Sequence, residues 1–202
     1  MNKIYFYKMM VDNLCAPHVS DGMLSLALCK PAIRRGAEQG AYIFGFGAKG
    51  LGEGRLIYVA VVTKIGLLDY YTRHNERADA VYQCHGDTVT IKPDARYHSD
   101  GSYLKRDIGS APAYVNARVL LSTDFRYYGA KGSATHIDGC PELAKRLAAL
   151  SQGHRVHHSP ELRKELIELK EKLWLEPQDK VVAPSNPVPV VDDDDDHNTH
   201  EC

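Results

Sequence analysis

No stretch of this 202-residue chain approaches the ~18 or more consecutive apolar residues that a membrane-spanning helix requires. The opening Met1-Asn2-Lys3-Ile4-Tyr5-Phe6-Tyr7 reads as a strand and not as a secretory signal, so a cytoplasmic protein with no membrane partner is expected. The five cysteines, Cys15, Cys29, Cys84, Cys140 and Cys202, show neither pairing nor motif spacing, and an odd number of them favours free thiols in a reducing compartment. Helical His-Glu-x-x-His and Cys-x-x-Cys spacings are both missing. His154, His157 and His158 with Cys140 therefore make no metal site by spacing. They fall in a linker where exposure to solvent is expected, and Cys84-His85 is equally unsupported. No metal and no cofactor is expected. The glycine-rich segment Gly45 to Arg55 lacks the Gly-Lys-Ser/Thr ending of a Walker loop, and no helix follows its Gly-x-Gly, which excludes a dinucleotide fingerprint. No internal repeat is visible.

What is present is an ordinary globular composition, 44% hydrophobic and 25% charged, consistent with one domain plus appendages. The net charge of -1 conceals a division. Residues 1–175 hold 24 Lys and Arg against 18 Asp and Glu, whereas residues 176–202 hold one Lys against eight acids. A mildly basic body with an acidic tail suits a polyanion-binding domain whose tail competes with its ligand, or simply a solvated surface with a disordered end.

The pattern of apolar residues places strands over Lys3 to Met10, Ala41 to Phe46, Arg55 to Ile65 and Ala117 to Thr123, with a brief one at Val89-Thr90-Ile91. Met23 to Lys30 is ambiguous between strand and helix. Pro31 can open a short helix, because its missing N–H costs nothing in a first turn, and Leu67 to Thr72 reads as another. Residues 74 to 115 are long and irregular, which in a compact domain signals function or mobility. Leucines at helical spacing predict helices over Pro141 to Leu150 and Pro160 to Leu175, the second capped by Ser159. From Glu176 onward the Pro/Val/Asp-rich sequence cannot bury a core and is expected to be disordered.

Asp21 to Tyr71 is the stretch that narrows function. It carries Cys29-Lys30-Pro31-x-Ile33-Arg34-Arg35, then Gly40-x-Tyr42-Ile43-x-Gly45-x-Gly47, then Gly54-Arg55-Leu56-Ile57-Tyr58, and Val119 to Gly129 follows later as Val-Leu-Leu-Ser-Thr-Asp-Phe-Arg-Tyr-Tyr-Gly. Over residues 1–135 this pattern resembles the second nucleotide-modification-associated domain family of phages and bacteria. Its element order is more loosely similar to the PUA-like barrels, whose EVE and YTH members hold modified bases. The fold class this implies is α+β: a small curved mixed or antiparallel PUA-like β-barrel of about five or six strands with flanking helices, then a helical extension over residues 136–175 and an acidic tail over 176–202.

Candidate chemistry follows from residue type. Lys30, Arg34 and Arg35 at a helix start, with Lys49 and Arg55 in the glycine loop, are cations that can neutralise phosphate or be plain surface charge. Cys29 is a nucleophile if its surroundings lower its pKa and core filler if they do not. Tyr97-His98-Ser99-Asp100 can supply an acid-base group or be a polar loop. Asp124, Tyr127 and Tyr128 at a strand end can read and stack a base, or the tyrosines can be core. The leading expectation is recognition of a nucleic acid or nucleotide, with a modified base in a phage or anti-phage system. An enzyme using Cys29, His98 or Asp124, or a module docking a modification or restriction partner protein, are the alternatives.

Overall fold

The computed structural model describes residues 2–151 and 153–176. In chain order the elements are β1 (Ile4–Met9), β2 (His18–Ser20), β3 (Met23–Leu26), α1 (Pro31–Gly36), β4 (Tyr42–Gly47), β5 (Leu56–Val61), β6 (Lys64–Gly66), α2 (Tyr70–Arg73), β7 (Tyr82–His85), β8 (Thr88–Ile91), α3 (Gly101–Ile108), β9 (Val119–Ser122), β10 (Asp124–Tyr127), α4 (Pro141–Ala148), β11 (His154–Arg155) and α5 (Pro160–Leu175). The fold is α+β. A five-stranded mixed sheet runs β10-β5-β4-β1-β11, with β1 and β4 parallel, and a four-stranded antiparallel sheet runs β2-β3-β9-β6. The pair β7-β8 forms a separate hairpin.

Side-chain alternation sorts these strands into layers. On β1, Tyr5, Tyr7 and Met9 face Leu24, Leu26 and Leu120 of the second sheet. Ile4 and Phe6 face the other way, joining Phe44, Phe46 and Val59 under α4 and α5, whose Leu143, Leu147, Leu162, Leu166, Leu169 and Leu173 are all buried. Each such leucine contributes roughly 1.5–3 kcal/mol on full burial, so both helices share a core with the sheet. A third core lies on the outer face of the second sheet, where Ala27, Leu28, Val119 and Leu121 meet Tyr70, Tyr71, Tyr82 and Ile108.

The structure corrects several expectations. The predicted long strand from Arg55 to Ile65 is two strands in two sheets, since Val62 N donates to Ala41 O and Thr63 N to Leu121 O, so the chain crosses between sheets. The chain crosses back between β9 and β10, where Asp124 N donates to Ser122 Oγ. Met23 to Leu26 resolves as strand. The irregular region holds the β7-β8 hairpin and α3, whose start is capped by Asp100 accepting from Ser102 N at 2.7 Å. Eleven strands are found among the described residues, five of them in the mixed sheet. His154 pairs with β1 instead of standing in solvent, and His158 Nε2 donates to Ile4 O at 2.8 Å and stacks on Phe6; only His157 is exposed. Apart from Glu176, the predicted disordered tail lies outside the described residues.

The glycine loop is the β4-β5 hairpin. A Cβ on Gly45 would stand 2.3 Å from the Tyr58 ring, and one on Gly47 would stand 1.9 Å from Leu51 O. These glycines permit close packing of the chain on itself.

Candidate active site

The end of β3 leads into α1 through two residues with left-handed backbone, Cys29 (φ 54°) and Lys30 (φ 43°). Each such L-residue costs on the order of 1 kcal/mol or more and persists only where the surroundings hold it. Here the hold comes from both sides. Asp107 Oδ1 accepts from Cys29 N at 3.3 Å, and Cys29 O accepts from Arg34 Nε at 2.8 Å. Arg34 lies wholly inside the protein. Its remaining N–H groups go to the carbonyls of Asn116 (3.0 Å), Arg118 (2.8 Å) and Asp107 (2.8 Å), and its guanidinium lies 3.5 Å from Asp107 Oδ1. A guanidinium carries five N–H donors, and those of Arg34 serve to fix the turn.

The third segment comes from the formerly irregular region. His98, also left-handed (φ 49°), stands just before α3, and Asp107 stands in the last turn of that helix. His98 Nε2 lies 3.2 Å from Cys29 Sγ, while its Nδ1 makes a short hydrogen bond to Asp107 Oδ2. Tyr82 from β7 donates to the same oxygen at 2.8 Å. Tyr103, one turn into α3, stacks on the imidazole with ring centroids 4.3 Å apart. Cysteine, imidazole and carboxylate thus form one hydrogen-bonded chain, built from residues up to 78 positions apart.

Its electrostatics favour a charged thiol. The neighbouring Cys15 thiol, then His98, hold Cys29 well below the ordinary thiol range against the opposing pull of burial. Cys15 is driven well above that range by the same contact with Cys29, together with its own burial. Burial also works against protonated His98, yet Asp107 and Cys29 raise it to about 9. Asp107 stays low, burial notwithstanding, through His98, Arg34 and Tyr82. These directions all favour the charged forms of Cys29, His98 and Asp107, opposite charges held in mutual contact. Buried charges persist only in such paired form. Cys29 is partly buried and the His98 side chain is 10% exposed, while Arg34 and Asp107 are wholly buried.

Cys15 Sγ, Cys29 Sγ and His98 Nε2 lie within 4.8 Å of one another, and these are the atoms that could hold a soft metal ion. Their donor chemistry, two sulfurs and an imidazole, suits zinc or copper(I).

Other residues singled out in the sequence stand elsewhere. Asp124, in β10, accepts from Trp174 Nε1 at 2.7 Å and anchors α5. Tyr127 is buried between the sheets and donates to Asp12 Oδ2 at 2.7 Å; Tyr128 is buried under the helices, where burial pushes its hydroxyl up to about 12. Neither offers a face for base stacking. Arg34 is turned inward and is not available to a phosphate. Arg55 donates to the carbonyls of Lys131 (2.7 Å) and Gly132 (3.1 Å), tying the glycine loop to its neighbour. Lys49 is exposed. Arg35 reaches Asn116 Oδ1 at 3.3 Å, and Lys30 Nζ lies 5.3 Å from the centre of the Tyr7 ring.

Sequence reasoning brought Cys29 and His98 forward separately and missed Asp107, Tyr82 and Cys15. The Asp100-Gly101-Ser102 cap and Gly109, nine residues later, are the helix signals that could have placed Asp107 on α3.

The family model described as Nucleotide modification associated domain 2 matches residues 1–189. The chain belongs to that family. The match continues past residue 135, where the sequence resemblance ended, and takes in α4 and α5. No curated protein and no solved structure matches the chain. Membership associates this fold with nucleotide modification, and no helix among the described residues is long and apolar enough to cross a membrane.

Proposed function

We propose that this domain is a cysteine-nucleophile enzyme acting on a nucleotide or nucleic-acid base that carries or receives an acyl-type group. The observation that carries the reading is the Cys29–His98–Asp107 chain, with Cys29 Sγ 3.2 Å from an imidazole whose other nitrogen is held by a buried carboxylate. This is the nucleophile, base and orienting group that covalent catalysis requires. The Cys29 thiolate attacks the carbonyl carbon, and the His98 imidazolium gives its Nε2 proton to the departing group, leaving a thioester. Neutral His98 then takes a proton from water or from an acceptor amine, which attacks the thioester and frees the thiolate. Asp107 keeps the Nδ1 proton in place throughout, and Arg34 holds Asp107 and the Cys29 carbonyl. Family membership supports a nucleotide as the substrate class.

The test is turnover of nucleosides and nucleotides acylated on an exocyclic amine, followed by chromatography, with intact-mass detection of the acyl-enzyme. Wild type should release the free amine and accumulate a thioester on Cys29, and Cys29→Ala should do neither while still binding. Equal release by Cys29→Ala would sink the proposal.

Recognition of a modified base by a PUA-like barrel is the second reading, supported by the exposed Arg35 and Lys49 and the partly exposed Lys30 on a basic body. It predicts binding that weakens as salt rises, and binding without turnover in the wild type would favour it.

A further inference from the structure

Cys15 forms and breaks no bond in the mechanism above, yet it is the thiol packed against the nucleophile. It is 6% exposed, belongs to the core beneath the second sheet, and its sulfur lies within 4.8 Å of both Cys29 Sγ and His98 Nε2. Cys140 is buried in a different core, under α4, and Cys84 stands on the β7-β8 hairpin. Cys15 also sits on irregular backbone between β1 and β2, next to left-handed Leu14, while Cys29 occupies its own left-handed turn. Neither cysteine lies in a helix or strand, and the two sulfurs already stand within 4.8 Å of each other. A partly buried nucleophilic thiol packed against a more deeply buried second thiol is the arrangement that forms a sulfenic acid and then traps it.

We propose that Cys29 is a site of reversible oxidation by hydroperoxides, with Cys15 as the resolving thiol. The inference rests on the proximity of the two sulfurs and on the reading of Cys29 as the nucleophile. In the first step the Cys29 sulfur attacks the outer oxygen of a hydroperoxide. The O–O bond breaks, the sulfur is oxidised to sulfenic acid, and the peroxide is reduced to an alcohol or water, taking a proton from His98 or solvent. In the second step the Cys15 sulfur attacks the Cys29 sulfur. The S–S bond forms, the S–O bond breaks, and the hydroxide leaves as water with the Cys15 proton. The two thiols together supply the two electrons that reduce the peroxide. The product masks the nucleophile until a thiol reductant restores it.

The experiment treats the reduced full-length protein with hydrogen peroxide and maps its peptides by mass spectrometry without reduction. Wild type should yield a peptide pair joined through Cys15 and Cys29, with loss of two hydrogens and loss of iodoacetamide labelling at both, all reversed by dithiothreitol. Cys15→Ser should give no cross-link, and its Cys29 should proceed to sulfinic acid, which dithiothreitol does not reverse. Sulfinic acid on wild-type Cys29 at the same rate as in Cys15→Ser, with no cross-link, would overturn the proposal. So would a stoichiometric soft cation retained on both thiols that leaves them untouched by peroxide. Iodoacetamide labelling of untreated protein separates the two failures. Rapid labelling of Cys29 without a peroxide cross-link removes only the resolving role of Cys15, whereas slow labelling of Cys29 removes the thiolate reading and this one with it.

Discussion

Two buried aspartates in this protein have nearly the same neighbours and different prospects. Asp79 is enclosed by Arg77 at 3.5 Å, by Ser25 Oγ donating at 2.6 Å, and by Tyr70 donating at 2.9 Å. Arg77 is spent in turn on Ser20 Oγ, Ser25 Oγ and the carbonyls of His18 and Met23. Asp107 likewise has an arginine at 3.5 Å and a tyrosine donating at 2.8 Å. The difference lies in the third partner. Where Asp79 has the buried Ser25, Asp107 has a half-buried histidine that leads on to a thiol. An aspartate, arginine and tyrosine buried together are therefore an architectural unit, used once to pin β3 to the α2–β7 connection and once to aim an imidazole. Only the Asp107 unit is extended towards solvent by groups that can change protonation state.

The largest effect should come from removing the thiol at the open end. Cys29→Ala should abolish covalent labelling and turnover, whereas Ser25→Ala at the closed end should leave both intact; site-resolved alkylation and the acylated-nucleotide assay read the two. Next is the pair Asp107→Asn and Asp79→Asn. Each strands a buried arginine, so each should lose roughly 3–5 kcal/mol in urea unfolding. Only Asp107→Asn should also slow the proposed turnover, by about 10²–10⁴-fold, the range for a positioned acid-base group. Equal slowing by both would mean that the clusters do not differ as argued.

A third prediction concerns pH. His98 titrates at about 9 in the folded protein, against about 6.5 for an ordinary histidine. Its protonation therefore stabilises the fold in full below about 6.5, and that contribution is lost as pH rises through about 9. Cys29 has the opposite sign, because its lowered pKa stabilises above the ordinary thiol range and that support is lost as pH falls through the folded value. The gap in unfolding free energy between wild type and His98→Gln should narrow from pH 6.5 to above 9, with Cys15, Asp107, Arg34 and Tyr82 unchanged around the ring. A gap constant across that window would contradict the charged pair. The smallest effect belongs outside both clusters. Asp124→Asn should weaken the Trp174 bond and cost about 0.5–1.5 kcal/mol, with no change in thiol reactivity.

The contrast also shows what sequence patterns can convey. Leucine spacing and the Ser159 cap located α5 because helix and cap are local signals, and the run Val119-Leu120-Leu121 located β9 because a buried strand is apolar throughout. Cys29-Lys30-Pro31 stood out by composition, yet its reactivity depends on His98 and Asp107, which reach it through tertiary packing of α3. The Arg34-Arg35 pair looks uniform in sequence, but Arg34 is sealed inside and Arg35 is exposed, a division made by the packing of a six-residue helix on residues 116–118. Tyr127 and Tyr128 point to opposite cores because successive strand residues alternate, which leaves neither for stacking. The split of Arg55 to Ile65 between two sheets was illegible for the same reason: both halves are equally β-forming, and only their partners differ.

The most direct test of the central claim is site-resolved iodoacetamide alkylation of the native, reduced protein at pH 6.5, comparing Cys29 with Cys84, the other half-buried thiol among the described residues. The account predicts that Cys29 is labelled far faster than Cys84, and that this advantage falls in His98→Gln and survives in Asp124→Asn. Cys29 labelled no faster than Cys84 would show that the Cys29–His98–Asp107 chain does not activate the thiol.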